Sequence, residues 1–225
     1  MRPIVQAGAL ALLALGAAAA AVGAGDTPPA GAAQWTAAPP VAGPYTLDKA
    51  HASLIFRINH MGFSNYTARF RRFDVQLQFD PANLIASRVT ATVDARSLET
   101  DFPDPAKLDF NAMLQNEQWL NTKQYPEMTY RTDTVELVGS NRMRIHGELT
   151  LHGVTRPVVL DATYNGGYAG HPMDPHARIG FSARGTLKRS EFGIAAGIPA
   201  PGSLMGVGDE VEVIIEAEFS GPQLK

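Results

Sequence analysis

From Pro44 onward, apolar and polar residues alternate in short runs separated by turn residues. Leu54, Phe56, Ile58 and His60 share one parity, with Arg57 and Asn59 on the other. Val75, Leu77 and Phe79 alternate with Asp74, Gln76, Gln78 and Asp80, and Val89, Ala91 and Val93 with Arg88, Thr90, Thr92 and Asp94. Ile145, Gly147, Leu149 and Leu151 stand opposite His146, Glu148, Thr150 and His152. The same rhythm sets Val158, Leu160, Ala162 and Tyr164 against Asp161, Thr163 and Asn165, and Ile179, Phe181, Ala183 and Leu187 against Arg178, Ser182, Arg184 and Lys188. It is clearest at the end, where Val211, Val213, Ile215, Ala217 and Phe219 face away from Glu212, Glu216 and Glu218. Successive strand side chains point to opposite faces, so each run predicts a strand with one buried face. Recurrent short strands of this kind predict an all-β antiparallel sandwich or barrel rather than βαβ units.

One region breaks the rhythm. Between Pro103 and Asn121, Lys107, Leu108, Phe110, Met113, Leu114 and Trp119 recur at roughly helical spacing after Asp104-Pro105, which predicts one helix or two short ones over one end of the sheet. Gly193 to Gly208 has no periodicity and reads as a long loop, a type that often carries function in compact domains. The expected strands, about eight or nine in number, can close on themselves and so remove the sheet edges. A barrel of about eight strands holds either packed side chains or one small ligand. Small inward residues (Ala91, Gly147, Ala162, Ala183, Ala217) stand beside Phe56, Phe79 and Phe181, and this mixture leaves hollow and filled interiors equally open.

The N-terminus follows a different logic. Arg2 precedes a short apolar centre, Ala9-Leu10-Ala11-Leu12-Leu13-Ala14-Leu15, which gives way to alanine and glycine. Charge, short apolar stretch and small-residue exit are the marks of a cleaved export signal rather than a membrane span. The expected organisation is a signal over residues 1–24, a Pro/Ala-rich leader over 25–43 and one domain over 44–221. The leader is too poor in large apolar residues to offset its ordering entropy.

Composition narrows the chemistry. The chain has 225 residues, 19 Lys+Arg against 22 Asp+Glu, and no cysteine. Absence of cysteine excludes disulfides, thiolate zinc sites, iron–sulfur clusters and cysteine catalysis. Near-balanced charge argues against general nucleic-acid binding, which needs a basic excess. There is no Gly-x-Ser-x-Gly elbow, His-Glu-x-x-His motif or phosphate-binding glycine loop, so an enzyme is not expected. Asp101 and Asp104 read as a helix-start signal before an acid/base pair. His171, Asp174 and His176 offer metal ligands without a metal-site spacing, so no metal is expected there, and His146, Glu148 and His152 read as a solvated strand face. Arg69, Arg71 and Arg72 read as solvated before they read as a membrane contact. His60, on an apolar parity, is either a hydrogen-bonded core residue or a donor to a ligand carbonyl such as a quinone oxygen.

Several blocks stand together in a recognisable order. Tyr45-Thr46-Leu47-Asp48-Lys49-Ala50-His51 is followed by Phe56-Arg57-Ile58-Asn59-His60-Met61-Gly62, then Ser97-Leu98-Glu99-Thr100 and Tyr125-Pro126. Gly147-Glu148-Leu149-Thr150-Leu151-His152-Gly153-Val154-Thr155-Arg156-Pro157-Val158 and Lys188-Arg189-Ser190-Glu191-Phe192-Gly193 complete the set. From about Pro44 to Phe219 the chain resembles the YceI-like polyisoprenoid-binding proteins. Two departures stand out: His51-Ala52 where the family often has His-Ser, and Asn111-Ala112-Met113-Leu114 where it often has Asp-x-His-Leu. The resemblance implies an extended lipocalin-like antiparallel β-barrel of about eight strands with a short helical cap, located in the periplasm. It also implies a non-covalently held isoprenoid-type lipid, a polyprenyl chain or an isoprenoid quinone, with no other cofactor.

Parity and likeness together give the expected lipid-lining residues. Phe56, Ile58, His60, Phe79, Leu149, Leu151, Phe181 and Phe219 come from strands, and Met113, Leu114 and Trp119 from the cap. Partners are then a long-chain lipid and transient contact with a membrane surface, without nucleic acid. Oligomeric state stays open, with a homodimer among the options. The competing expectation is a filled barrel acting as a periplasmic stress-response or interaction module.

Overall fold

The fold was analysed in a computed structural model, which describes residues 38–223; the expected signal and most of the leader lie outside these. The alternating segments become ten strands: β1 (Gly43–His60), β2 (Ser64–Phe70), β3 (Phe73–Phe79), β4 (Arg88–Asp94), β5 (Leu98–Glu99), β6 (Glu127–Leu137), β7 (Arg142–Leu151), β8 (Val154–Tyr168), β9 (His176–Lys188) and β10 (Val207–Gln223). Among the described residues a single short α-helix, α1 (Phe110–Leu114), interrupts them. All pairings are antiparallel. Around the ring the order is β1-β3-β4-β6-β7-β8-β9-β10, and β10 pairs with β1 to close an eight-stranded barrel.

β1 explains why two further strands exist. Its first residues, Gly43 to Thr46, pair with β3, whereas Leu54 to His60 pair with β2. Along its other edge it stays with β10, through a bulge between Leu47 and Ala52. β2 thus takes over the wall where β3 leaves off, and the two-residue β5 lengthens it. The upper wall is finished by irregular chain and α1, at the end called here the cap end. The opposite, lower end holds Gly43, Phe79, Ile179 and Phe219.

The cap holds one short helix, as its sequence predicts, set in irregular chain. Asp104-Pro105 opens a turn, with the Lys107 amide donating to the Asp104 carbonyl at 3.1 Å and to its carboxylate at 3.2 Å. The helix starts later, at Asp109, whose carboxylate accepts from the Ala112 amide at 2.8 Å, and it ends at Gln115. Asn111 anchors it to β5: its amide oxygen accepts from the Thr100 amide (3.0 Å) and hydroxyl (2.6 Å), and its nitrogen donates to Glu99 (3.2 Å). Tethering of this kind replaces helix length, because a five-residue helix cannot stand by itself.

Large and small residues interlock around the core. A Cβ on Gly147 would strike the Arg131 carbonyl and lie 2.6 Å from the Tyr130 hydroxyl, so only glycine leaves room for that ring. The Tyr130 hydroxyl reaches the carbonyls of Ile145 and Val158, at 3.0 and 3.2 Å. His152 differs from the solvated face expected of it. It sits past the end of β7 in the tight turn to β8, where His152 and Gly153 both have positive φ (53° and 74°), as a type I′ hairpin requires. Its Nδ1 bonds the Phe192 carbonyl at 3.0 Å, its ring meets Tyr125 edge-on, and its Nε2 is buried with no partner among the described residues.

Candidate ligand site: an apolar cavity between a closed and an open end

The barrel is hollow. Its interior holds a cavity of about 640 Å³, within the range of about 300–1,000 Å³ usual for small-molecule sites. All eleven residues expected from parity and likeness are in its wall: Phe56, Ile58, His60, Phe79, Met113, Leu114, Trp119, Leu149, Leu151, Phe181 and Phe219. Ala91, Ala162, Ala183 and Ala217 line it as well, so some small residues make space that no partner fills. Gly147, by contrast, makes room for Tyr130. Both outcomes that sequence left open therefore occur, at different levels of the same barrel.

The floor is built from aromatic rings. Tyr45 meets Phe79 edge-on at 5.6 Å, and Phe79 contacts Tyr164 (5.5 Å) and Phe181 (5.9 Å). Phe181 in turn meets Phe219 at 6.1 Å. Tyr45, Phe79, Ile179 and Phe219 are buried, and Leu84, from the link between β3 and β4, packs against them. Burial raises the Tyr45 hydroxyl to about 12, with the nearby Tyr164 adding to the effect; that hydroxyl donates to the Val41 carbonyl at 2.8 Å.

The upper wall differs in kind. Phe102 and Phe110 lie tilted against each other at 5.4 Å, Tyr66 meets Phe110 at 5.8 Å, and Phe56 lies beside Phe70 at 5.6 Å. Met113 and Leu114 reach the cavity from α1, so the departure at Met113 supplies apolar lining rather than a polar group.

Most polar groups that reach the wall are committed to the protein. The Tyr66 hydroxyl donates to the Thr100 carbonyl at 3.2 Å. Arg189, which is buried, spends its guanidinium on four carbonyls: Gly208 (2.8 Å), Ile194 (3.1 Å), Ala196 (2.7 Å) and Val207 (2.9 Å). It also lies over the Trp119 ring at 5.3 Å, and burial pulls its pKa below the usual value. Sequence reasoning missed this residue, because an arginine in a motif reads as solvated until its carbonyl partners are seen. His60 is different again. It lines the cavity yet is exposed, and among the described residues its ring has no protein partner. It marks the mouth.

Other candidate groups lie outside the barrel. Arg69, Arg71 and Arg72 are exposed and are met by Asp101 (2.9 Å), Glu99 (3.9 Å) and Asp94 (2.9 Å). Hydrogen bonds from Arg96 and Arg72 hold the Asp94 carboxyl down at about 2. Asp174 accepts from Tyr168 (3.0 Å) and Arg178 (2.9 Å), which makes the His171–His176 segment a strapped turn. Asp48, His51 and Glu218 bring ligand atoms within 4.8 Å of one another at the β1 bulge. Asp48 already accepts from Arg178 at 2.9 Å and contacts His51 at 3.1 Å, so its carboxylate is engaged by protein groups.

The sequence matches the family described as "YceI-like domain" over residues 45–219. The chain belongs to the YceI-like family. The Protein YceI of Escherichia coli is 35% identical over 182 residues, covering 79% of this chain and 87% of that protein. A UPF0312 protein of Vibrio cholerae is 32% identical over 176 residues, 77% and 85% of the two chains. Among solved structures, the Campylobacter jejuni YceI protein superposes with a TM-score of 0.61 at 30% identity, covering 80% of this chain and 98% of that one. A polyisoprenoid-binding domain from Saccharophagus degradans gives 0.53 at 17% identity, covering 79% and 98%, a likeness of fold. The YceI-like barrel is thus shared by chains that differ at most positions.

Proposed function

We propose that this YceI-like protein is an exported carrier that holds one long apolar lipid, of the isoprenoid or isoprenoid-quinone type, inside its barrel. The observation that carries the reading is the cavity of about 640 Å³ walled by aliphatic and aromatic side chains and floored by aromatic rings. Interiors are normally packed to crystal-like density, so an unfilled apolar space of this size calls for an occupant. Removing apolar surface from water is worth about 25 cal/mol per Å², so a hydrocarbon tail can bind with few polar contacts. The polar end of an amphiphile would rest at the mouth beside His60, which can donate to a carbonyl or phosphate oxygen. The solved relative described as a polyisoprenoid-binding domain supports the same ligand class. Export, and with it a periplasmic location, is supported by Arg2 and the short apolar stretch Ala9–Leu15. A filled-barrel interaction module fits less well, because Ala162 and Ala183 line open space within the barrel. Native mass spectrometry of gently purified protein tests the reading. A co-purifying or added isoprenoid-type lipid should appear as a discrete mass increment, and consistent absence of both would sink it.

A further inference from the structure

The mouth of the cavity is framed by two loops that form one surface. The β1–β2 hairpin tip, Met61-Gly62-Phe63, is tied to the loop before β10 by the Met61 amide, which donates to the Gly206 carbonyl at 2.8 Å. Gly62 lies so close that a Cβ there would sit 2.9 Å from Leu204 Cδ1. Arg189 gathers both ends of that loop through the carbonyls of residues 194, 196, 207 and 208. The loop therefore projects from a fixed base. At the summit stand Phe63, 82% exposed, with Leu204 and Met205, each 69% exposed. No Asp, Glu, Lys or Arg occurs from Ile58 to Ala68 or from Phe192 to Gly208; charge resumes at Arg57, Arg69, Glu191 and Asp209. At the foot of the two loops, His60 and Val207 line the cavity.

We propose that this uncharged apolar tip inserts into the surface of a neutral lipid bilayer and delivers the mouth of the cavity to it; the proposal rests on the reading of the barrel as a lipid carrier. Three large side chains on Gly/Pro/Ser loops fall short of the roughly 800 Å² per partner that a stable protein interface takes. A tip without charge offers nothing to a charged protein partner or to anionic head groups specifically. Apolar side chains need only reach about 5–10 Å, to the boundary of head groups and acyl chains, to anchor there. Docking of this kind would let a tail pass between bilayer and cavity without crossing water.

The chain contains no cysteine, so Phe63→Cys gives a unique site for an environment-sensitive fluorophore. Met173→Cys, 91% exposed in the β8–β9 loop at the other end of the barrel, is the control. On phosphatidylcholine vesicles the label at 63 should brighten several-fold, be quenched by nitroxide-bearing lipids and keep its response in high salt, while the label at 173 stays unchanged. An unchanged label at 63, an equal response at 173, or a response at 63 that needs only more protein and no vesicles (self-association) would overturn the proposal. Phe63→Ser/Leu204→Ser/Met205→Ser should slow transfer of a fluorescent polyprenyl lipid between vesicles at least tenfold. The same lipid offered in detergent micelles should still bind that variant as it binds the native chain. Binding from micelles with no insertion at 63 would refute docking and leave the carrier reading intact. Insertion at 63 with no binding from micelles would refute the carrier reading and leave docking intact.

Discussion

The two ends of the barrel solve opposite problems with the same alternating strands. At the lower end, Phe79 meets Tyr164 and Phe181 across the axis, and Tyr45, Ile179 and Phe219 are buried around them. At the cap end, β3 and β4 stop early and β2, β5, α1 and two loops replace regular sheet. The first end is built by parity, and its contacts serve stability. The second is built by capping bonds, a buried arginine and glycine turns, and its surfaces are left facing a cavity or solvent. The closed floor and irregular rim leave the cavity open at the rim, while the cap end keeps its own packed cluster around Leu151, Phe192 and Ile194.

That contrast predicts unequal costs for similar truncations. Tyr45→Ala removes a fully buried ring from the floor and should destabilise the barrel by about 3–5 kcal/mol, read as a lower midpoint in urea unfolding. A loss below about 1 kcal/mol would mean that the floor is not the packed end. The same residue should make the fold sensitive to alkali. Burial raises the Tyr45 hydroxyl to about 12 and pushes Tyr130 upward as well, so both are neutral in the folded barrel at a pH where an unfolded chain ionises them. Their contribution is complete below about pH 10 and is lost as pH rises toward about 12, because ionisation then favours the unfolded chain. Urea midpoints measured from pH 8 to 12 should fall across that window, and Tyr45→Phe should reduce the slope. The smallest effect belongs to the rim. Phe56→Ala takes a ring that faces the cavity and should cost about 1–2 kcal/mol, since the empty side offers few contacts to lose. Equal losses for Tyr45→Ala and Phe56→Ala would erase the distinction between the ends.

Sequence carried the lower end better than the cap. The parity of Val211 to Phe219 and of Ile145 to Leu151 is visible because one face of each strand is buried along its length. β2 and β6 carry the same signal, with Tyr66, Ala68 and Phe70 on one and Met128 and Tyr130 on the other. They escaped notice because threonine, arginine and asparagine dilute both. The division of β1 between β2 and β3 cannot be read from local pattern, since it depends on which strand ends first. The bounds of the short cap helix are harder to read for a related reason: apolar residues stand at helical spacing from Lys107 to Trp119, but Asp104-Pro105 satisfies its own turn and leaves α1 only five residues. His152 and Arg189 were hidden more deeply, because their partners are backbone carbonyls, which carry no side-chain signature.

A lipid held in the barrel should occupy the space beside Ala162 and Ala183. Both face the cavity from adjacent strands, β8 and β9, where they are paired. Uptake of a fluorescent polyprenyl lipid from detergent micelles, measured for the native chain and for Ala183→Trp, tests it directly. Filling the space should weaken uptake at least tenfold while circular dichroism and the urea midpoint show a folded barrel, because overpacking costs about 1–3 kcal/mol. Unchanged uptake by a folded Ala183→Trp variant would show that the lipid does not bind there.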